Sequence, residues 1–145
     1  MREVIEHLIL EENVRTFLFG SRSKFDELCH IVVTQLQEKY PNIVRVVYLC
    51  KHEAVCSVGE GLQTQQSLKQ ITGQEVYCGE YEERKNSEKI NSAGRASYVE
   101  RNQWIIDDSN FVIIHLDKTR KTQKVSGTAL AHQYAEKKKR SIFYI

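Results

Sequence analysis

The sequence predicts an α/β fold, a three-layer sandwich in which a mainly parallel sheet carries helices on both faces. Three observations predict it. Short runs rich in β-branched and aromatic residues at 14–19, 43–49, 111–116 and 141–145 read as strands. The segments between several of them repeat apolar residues at helical spacing. Strand and helix signals alternate at both ends of the chain, and alternation of this kind requires crossover connections and therefore parallel pairing.

The elements follow in order. Val4, Ile5, Leu8 and Ile9 mark a short amphipathic helix over 2–12, ended by Asn13. Val14 to Phe19 is a compact strand that Gly20 stops. Phe25, Leu28, Cys29, Val32, Val33, Leu36 and Tyr40 give the stripe of a helix packed on one face, ended by Pro41 and Asn42. Ile43 to Leu49 is apolar nearly throughout, as a strand covered on both faces should be. A Gln-rich stretch over 60–72 reads as a helix capped by Gly73, Glu75 to Cys78 as a short strand, and 79–96 as a long polar loop. Ser97 and Glu100 form an S-x-x-E capping box, which starts a helix running to about Asp107. Phe111 to Leu116 is a further strand, and 117–125 a basic loop. Ser126-Gly127-Thr128 opens a helix that ends in Lys137-Lys138-Lys139-Arg140, before a last strand at 141–145.

Composition narrows the function. A chain of 145 residues, 41% apolar and 28% charged, is that of one globular domain spanning 1–145, with 51–96 as an insertion or lid region. No run approaches the roughly 18 apolar residues that cross a bilayer, and MREVIEHLILEEN carries acids within its apolar part, unlike an export signal. A cytoplasmic protein without a membrane partner is the expectation. The net charge of +2 argues against nucleic acid as a partner. The basic run reads as a solvated helix end complementing the helix dipole. Cys50, His52, Cys56 and Cys78 have a spacing, C-x-H-x3-C, that fits none of the usual zinc patterns, so no metal is expected. Cys29 and Cys50 stand in apolar runs, where cysteine acts as a small hydrophobe.

Two turns and one helix face carry the candidate chemistry. Gly20, Ser21, Arg22 and Ser23 stand between a strand and a helix, where backbone N–H groups attract anions and an arginine can grip phosphate. The competing reading is a cap, since Ser23 and Asp26 form an S-x-x-D box. Ser126, Gly127 and Thr128 repeat the pattern with the same two readings. Tyr98, Arg101 and Asn102 share the start of a helix with Glu100 and Trp104, and offer stacking, phosphate and ribose contacts. Neither G-x-G-x-x-G nor the P-loop pattern is present. In parallel sheets the ligand crevice lies beyond the C-terminal strand ends. No nucleophile–base arrangement stands out among His7, His30, His52, His115 and His132, which read as structural.

Taken together, "FLFGSRSKFDEL", "ASYVERNQWIIDDSNFVIIHL" and "SGTALAHQYAEKKKRSIFYI" resemble the SLOG superfamily, Rossmann-like domains that include LOG-type phosphoribohydrolases and DNA-processing single-strand binders. The likeness is to small stand-alone bacterial members and covers 1–49 and 97–145. It implies a five-stranded, mainly parallel Rossmann-like sheet and a pocket for a nucleotide or nucleotide-derived ligand. No further cofactor is required. It also implies a sensor or signalling role and a homodimer or higher homo-oligomer. By that likeness Gly20, Ser21 and Arg22 match the first loop, Arg101 the arginine reaching the active site, and Gly127 and Thr128 the phosphate-binding turn. The LOG pattern ends in a glutamate where this chain has Ala131. Binding without cleavage is therefore the expectation. The alternative is a nucleoside or nucleotide N-glycosidase or (deoxy)ribosyltransferase using Glu100 or Asp107, and a second alternative is single-stranded nucleic-acid binding.

Overall fold

The structure, a computed structural model, describes residues 1–20, 23–49, 82–86, 94–115 and 126–145. They belong to two units, Met1–Glu88 and Lys89–Ile145.

The first unit holds α1 (Arg2–Leu10), β1 (Thr16–Phe19), α2 (Lys24–Lys39), β2 (Val44–Leu49) and β3 (Glu82–Asn86). Asn13 takes a left-handed φ of 54° between α1 and β1, a conformation asparagine tolerates better than most residues. Ser23 starts α2 by accepting the Asp26 amide at 2.9 Å. Its end is set by Pro41, which disfavours helical geometry in the residue before it; Tyr40 sits at φ −125°, ψ 78°. β1, β2 and β3 form a parallel sheet in that order. Helix α2 packs on β1 and β2, and α1 on α2. Lys39 fastens the two helices by an ion pair with Glu6 at 3.0 Å.

Ile5, Leu8 and Ile9 of α1, Val33 and Leu36 of α2, and Phe17, Phe19, Val46 and Tyr48 of the sheet make the core. Cys29 is buried with them. Burial pushes its thiol up to about 12, and the nearby Asp26 carboxylate adds to the effect. The core also holds a cation. Arg45 of β2 is 2% exposed. Its Nη1 donates to Thr34 Oγ1 at 2.6 Å and lies 3.3 Å from His30 Nε2. The Thr34 hydroxyl gives its one proton to the His30 carbonyl at 2.7 Å, which frees its lone pairs for Arg45. Arginine only donates, so His30 Nε2 is the acceptor and its ring proton stands on Nδ1. The Phe19 ring meets the His30 ring edge-on at 5.0 Å.

The second unit holds α3 (Arg95–Asp107), β4 (Phe111–Ile114), α4 (Gly127–Lys137) and β5 (Ser141–Tyr144). β4 and β5 pair in parallel, with Ile114 opposite Tyr144. Helix α4 packs on both strands and on α3. Ile106, Ile114 and Ala135 are its buried apolar residues among those described.

The fold expectation needs correction. The strands do not form one five-stranded sheet at the centre of a Rossmann-like three-layer sandwich. Among the described residues they divide into a three-stranded and a two-stranded parallel sheet. Strand–helix alternation specifies which consecutive strands pair across a crossover. It does not specify that the two sets join, because joining needs an edge-to-edge ladder that no local pattern encodes. β3 is a second correction, since 82–86 fell within the expected loop. The sequence EERKN is wholly polar, as suits a strand at the sheet edge, where charged residues discourage further pairing. The expected helix over 60–72 and strand at 75–78 lie outside the described residues. Among the described residues no helix is long and apolar enough to cross a membrane.

Candidate functional site

The second unit gathers most of the described candidates. Helix α3 begins two residues before Ser97, at Arg95, and its N-cap is Gly94, whose φ of 63° and ψ of −135° suit glycine alone. Ser97 is therefore no cap. It is buried inside the first turn, and its hydroxyl donates to the Gly94 carbonyl at 2.7 Å. Glu100 then lies in the second turn, half-buried, and takes no part in a capping box. Arg101 is 4% exposed. Its guanidinium stands 5.4 Å from the Tyr98 ring centroid and donates to Asn102 Oδ1 at 3.1 Å. These three candidates thus form one contact group, with Arg101 bracing Tyr98 and Asn102 from within.

Ser126 caps α4, its Oγ accepting the Ala129 amide at 3.1 Å. That bond leaves the amides of Gly127 and Thr128 without an intrahelical acceptor. All three residues of this turn are exposed, and a Cβ placed on Gly127 would meet nothing within 4 Å. Because α4 connects the parallel strands β4 and β5, its N-terminus lies beyond their C-terminal ends.

Asp107 lies elsewhere. Its carboxylate pairs with Lys138 Nζ at 2.8 Å and accepts the Tyr134 hydroxyl on both oxygens at 3.1 Å. Its carbonyl accepts Arg140 Nη2 at 2.8 Å. All three partners stand in the last turn of α4 or just after it. An 11-residue helix is about 16 Å long, which separates Asp107 from Ser126–Thr128 by most of that length. The carboxylate is a clasp between helix ends. The Lys138 ammonium holds it below the ordinary carboxylate value, the Tyr134 hydroxyl and Arg140 adding to this, and the clasp in turn raises Lys138.

The sign of the pH dependence follows. A lowered Asp107 stabilises the fold above the unfolded carboxylate value of about 4 and loses that contribution as pH falls through its folded value. A raised Lys138 stabilises below the unfolded lysine value of about 10.4 and loses it as pH rises further. Both side chains are 41% exposed, so solvent screens the pair. Asp107→Asn should cost about 0.5 kcal/mol in chemical denaturation at neutral pH, a penalty that shrinks as pH falls below the unfolded carboxylate value and through the lowered folded one. A penalty that did not shrink on acidification would refute the ionic origin.

The basic run divides between separate tasks. Lys137 ends α4, Lys138 and Arg140 bind Asp107, and Lys139 makes the turn with a φ of 55°. In the first unit, the Ser23 oxygen is engaged as the cap of α2, and its hydroxyl reaches Asp26 Oδ2 at 2.8 Å. Ser21 and Arg22 lie outside the described residues, as do Cys50, His52, Cys56 and Cys78. Among the described residues, no group of three or more His, Cys, Asp or Glu side chains is gathered to hold a metal ion.

Sequence reading missed two polar arrangements. One is the buried Arg45–His30–Thr34 cluster. The other joins His132, Glu136 and Tyr144: the His132 Nε2 is 2.8 Å from the Tyr144 hydroxyl, and its Nδ1 is 3.6 Å from Glu136 Oε2. The signal was present in the i, i+4 spacing of Thr128, His132 and Glu136, which sets them on one face of α4. His115 follows β4, and its Nδ1 lies 2.7 Å from the Ile145 carbonyl. No family model, no curated protein and no solved structure matches this chain.

Proposed function

We propose that the chain binds a nucleotide or nucleotide-derived ligand through the first turn of α4, and serves as a sensor or signalling module. One observation carries the reading. Ser126–Thr128 opens an 11-residue helix with an exposed first turn, beyond the C-terminal ends of a parallel strand pair. Phosphate binds at such helix termini because free amides and the helix dipole both favour negative charge, and in parallel sheets this end is where ligands sit. The Tyr98–Arg101–Asn102 group supplies a ring for stacking and an amide for a base or ribose. The likeness to SLOG proteins supports the same ligand class. Ala131, in place of the LOG glutamate, supports binding without hydrolysis.

Calorimetric titration with nucleoside mono-, di- and triphosphates tests the proposal. Gly127→Pro is the informative variant. Ser126 sits at φ −75°, ψ 154°, the extended conformation a residue before proline prefers. Proline is also accepted at the first helical position. The variant should fold as the parent does, yet it lacks one amide donor. Affinity for the best nucleotide should fall about tenfold or more, the effect of one hydrogen bond to a charged group. Absence of binding across the panel at millimolar concentration would overturn the reading. Unchanged affinity in Gly127→Pro would overturn the site.

A further inference from the structure

We propose that Tyr144 is a nucleophilic tyrosine, with His132 as its general base and Glu136 orienting that base, able to attack an electrophilic tetrahedral centre such as a phosphoryl or sulfonyl group. The inference stands on geometry separate from the nucleotide reading. Tyr144 is 57% exposed, so an electrophile can reach its oxygen. That oxygen lies 2.8 Å from His132 Nε2. Glu136 Oε2, 3.6 Å from Nδ1, favours the tautomer with its proton on Nδ1. Nε2 is then the acceptor of the phenolic proton. This is the arrangement of an activated nucleophile: an attacking group within hydrogen-bond reach of a base, and a third group orienting the base.

The backbone holds the nucleophile in place. Tyr144 pairs in register with Ile114, and the next amide, Ile145 N, donates to the Ile114 carbonyl at 3.1 Å. The His132 and Tyr144 rings are tilted at 54° with centroids 5.7 Å apart. Tyr134 gives an internal contrast. Its hydroxyl donates to Asp107, whose carboxylate Lys138 holds ionised, so it faces a much weaker base.

In the step, the Tyr144 oxygen forms a bond to the electrophilic phosphorus or sulfur. The bond from that centre to its leaving group breaks, and the leaving group departs with the electron pair. The phenolic proton passes to His132 Nε2. The resulting imidazolium is stabilised by Glu136 and later returns its proton to water.

An aryl sulfonyl fluoride tests this in the full chain, with fluoride as the leaving group. Intact mass spectrometry follows the rate, and peptide mapping assigns the modified residue. Tyr144 should be modified first and Tyr134 much more slowly. His132→Phe keeps a ring against Tyr144 and removes the base. It should slow modification of Tyr144 about tenfold or more while leaving that of Tyr134 unchanged. Glu136→Gln should slow it roughly twofold, the scale an exposed ion pair supports. Equal rates at Tyr144 and Tyr134 in the parent chain would overturn the proposal, and so would an unchanged Tyr144 rate in His132→Phe. The parent comparison needs no variant to fold, and neither readout depends on nucleotide binding.

Discussion

Arg45→Ala should lower the unfolding free energy by about 3 kcal/mol or more in urea denaturation. Two losses combine. Truncating a long, fully buried side chain leaves a cavity, which costs about 2–5 kcal/mol in cores. The guanidinium also supplies the donors for Thr34 Oγ1 and His30 Nε2, and a buried acceptor left alone costs about 1–3 kcal/mol. Arg45→Met separates the two, because it keeps most of the stem's volume and removes the donors. It should recover at least half of the lost stability, since it fills most of the cavity that alanine leaves. If Met proves as damaging as Ala, hydrogen bonding and not packing holds this part of the core.

Leu36→Ala should cost about 3 kcal/mol, within the range of roughly 2–5 kcal/mol for buried leucine truncation. Leu36 is fully buried on α2, the helix that α1 and both β1 and β2 contact. Its loss thins the shared core from every side. For a chain of this size the change corresponds to a fall of roughly 10 °C in midpoint temperature. Leu28 is the control on the same helix. It is 46% exposed, and Leu28→Ala should change stability by less than about 0.5 kcal/mol. Similar losses in both variants would mean that α2 does not present the face described.

The contrast between Leu36 and Leu28 also marks how far the sequence was readable. The apolar stripe of α2 located the helix and most of its buried face, including Cys29, Val33 and Leu36. It also counted Leu28, which is exposed, and omitted His30 and Ile31, which are buried. Periodicity resolves a helix face to about one residue's rotation, and polar side chains are invisible to it. Arg45 was hidden for the same reason. A single cation in an otherwise apolar strand looks like an interruption until Thr34 and His30 are seen beside it. β3 was missed because an edge strand of charged residues carries no apolar signal. The start of α3 was misread because S-x-x-E has the spacing of a capping box, while the bond that matters runs from Ser97 back to Gly94.

Of the candidate site, the Ser126 turn was fully legible, because capping chemistry is local. The Tyr98–Arg101–Asn102 group was legible as neighbours on one helix, though not the burial of Arg101. Asp107 was legible as a helix end. Its task depends on Tyr134, Lys138 and Arg140, some 30 residues away in sequence, and no local pattern announces that. The Tyr144–His132 pair, from a strand and a helix, was out of reach for the same reason.

Cys29 gives the first unit a built-in clock. Its thiol, pushed up to about 12 and enclosed by the core, is almost entirely protonated at neutral pH and out of reach of alkylating reagents. Reaction therefore waits for α2 to lift from the sheet, after which the thiol behaves as an ordinary one. The rate of alkylation at this one residue thus measures how often the helix opens. Comparing that rate with global unfolding tells whether α2 parts from the sheet alone or only with the whole molecule.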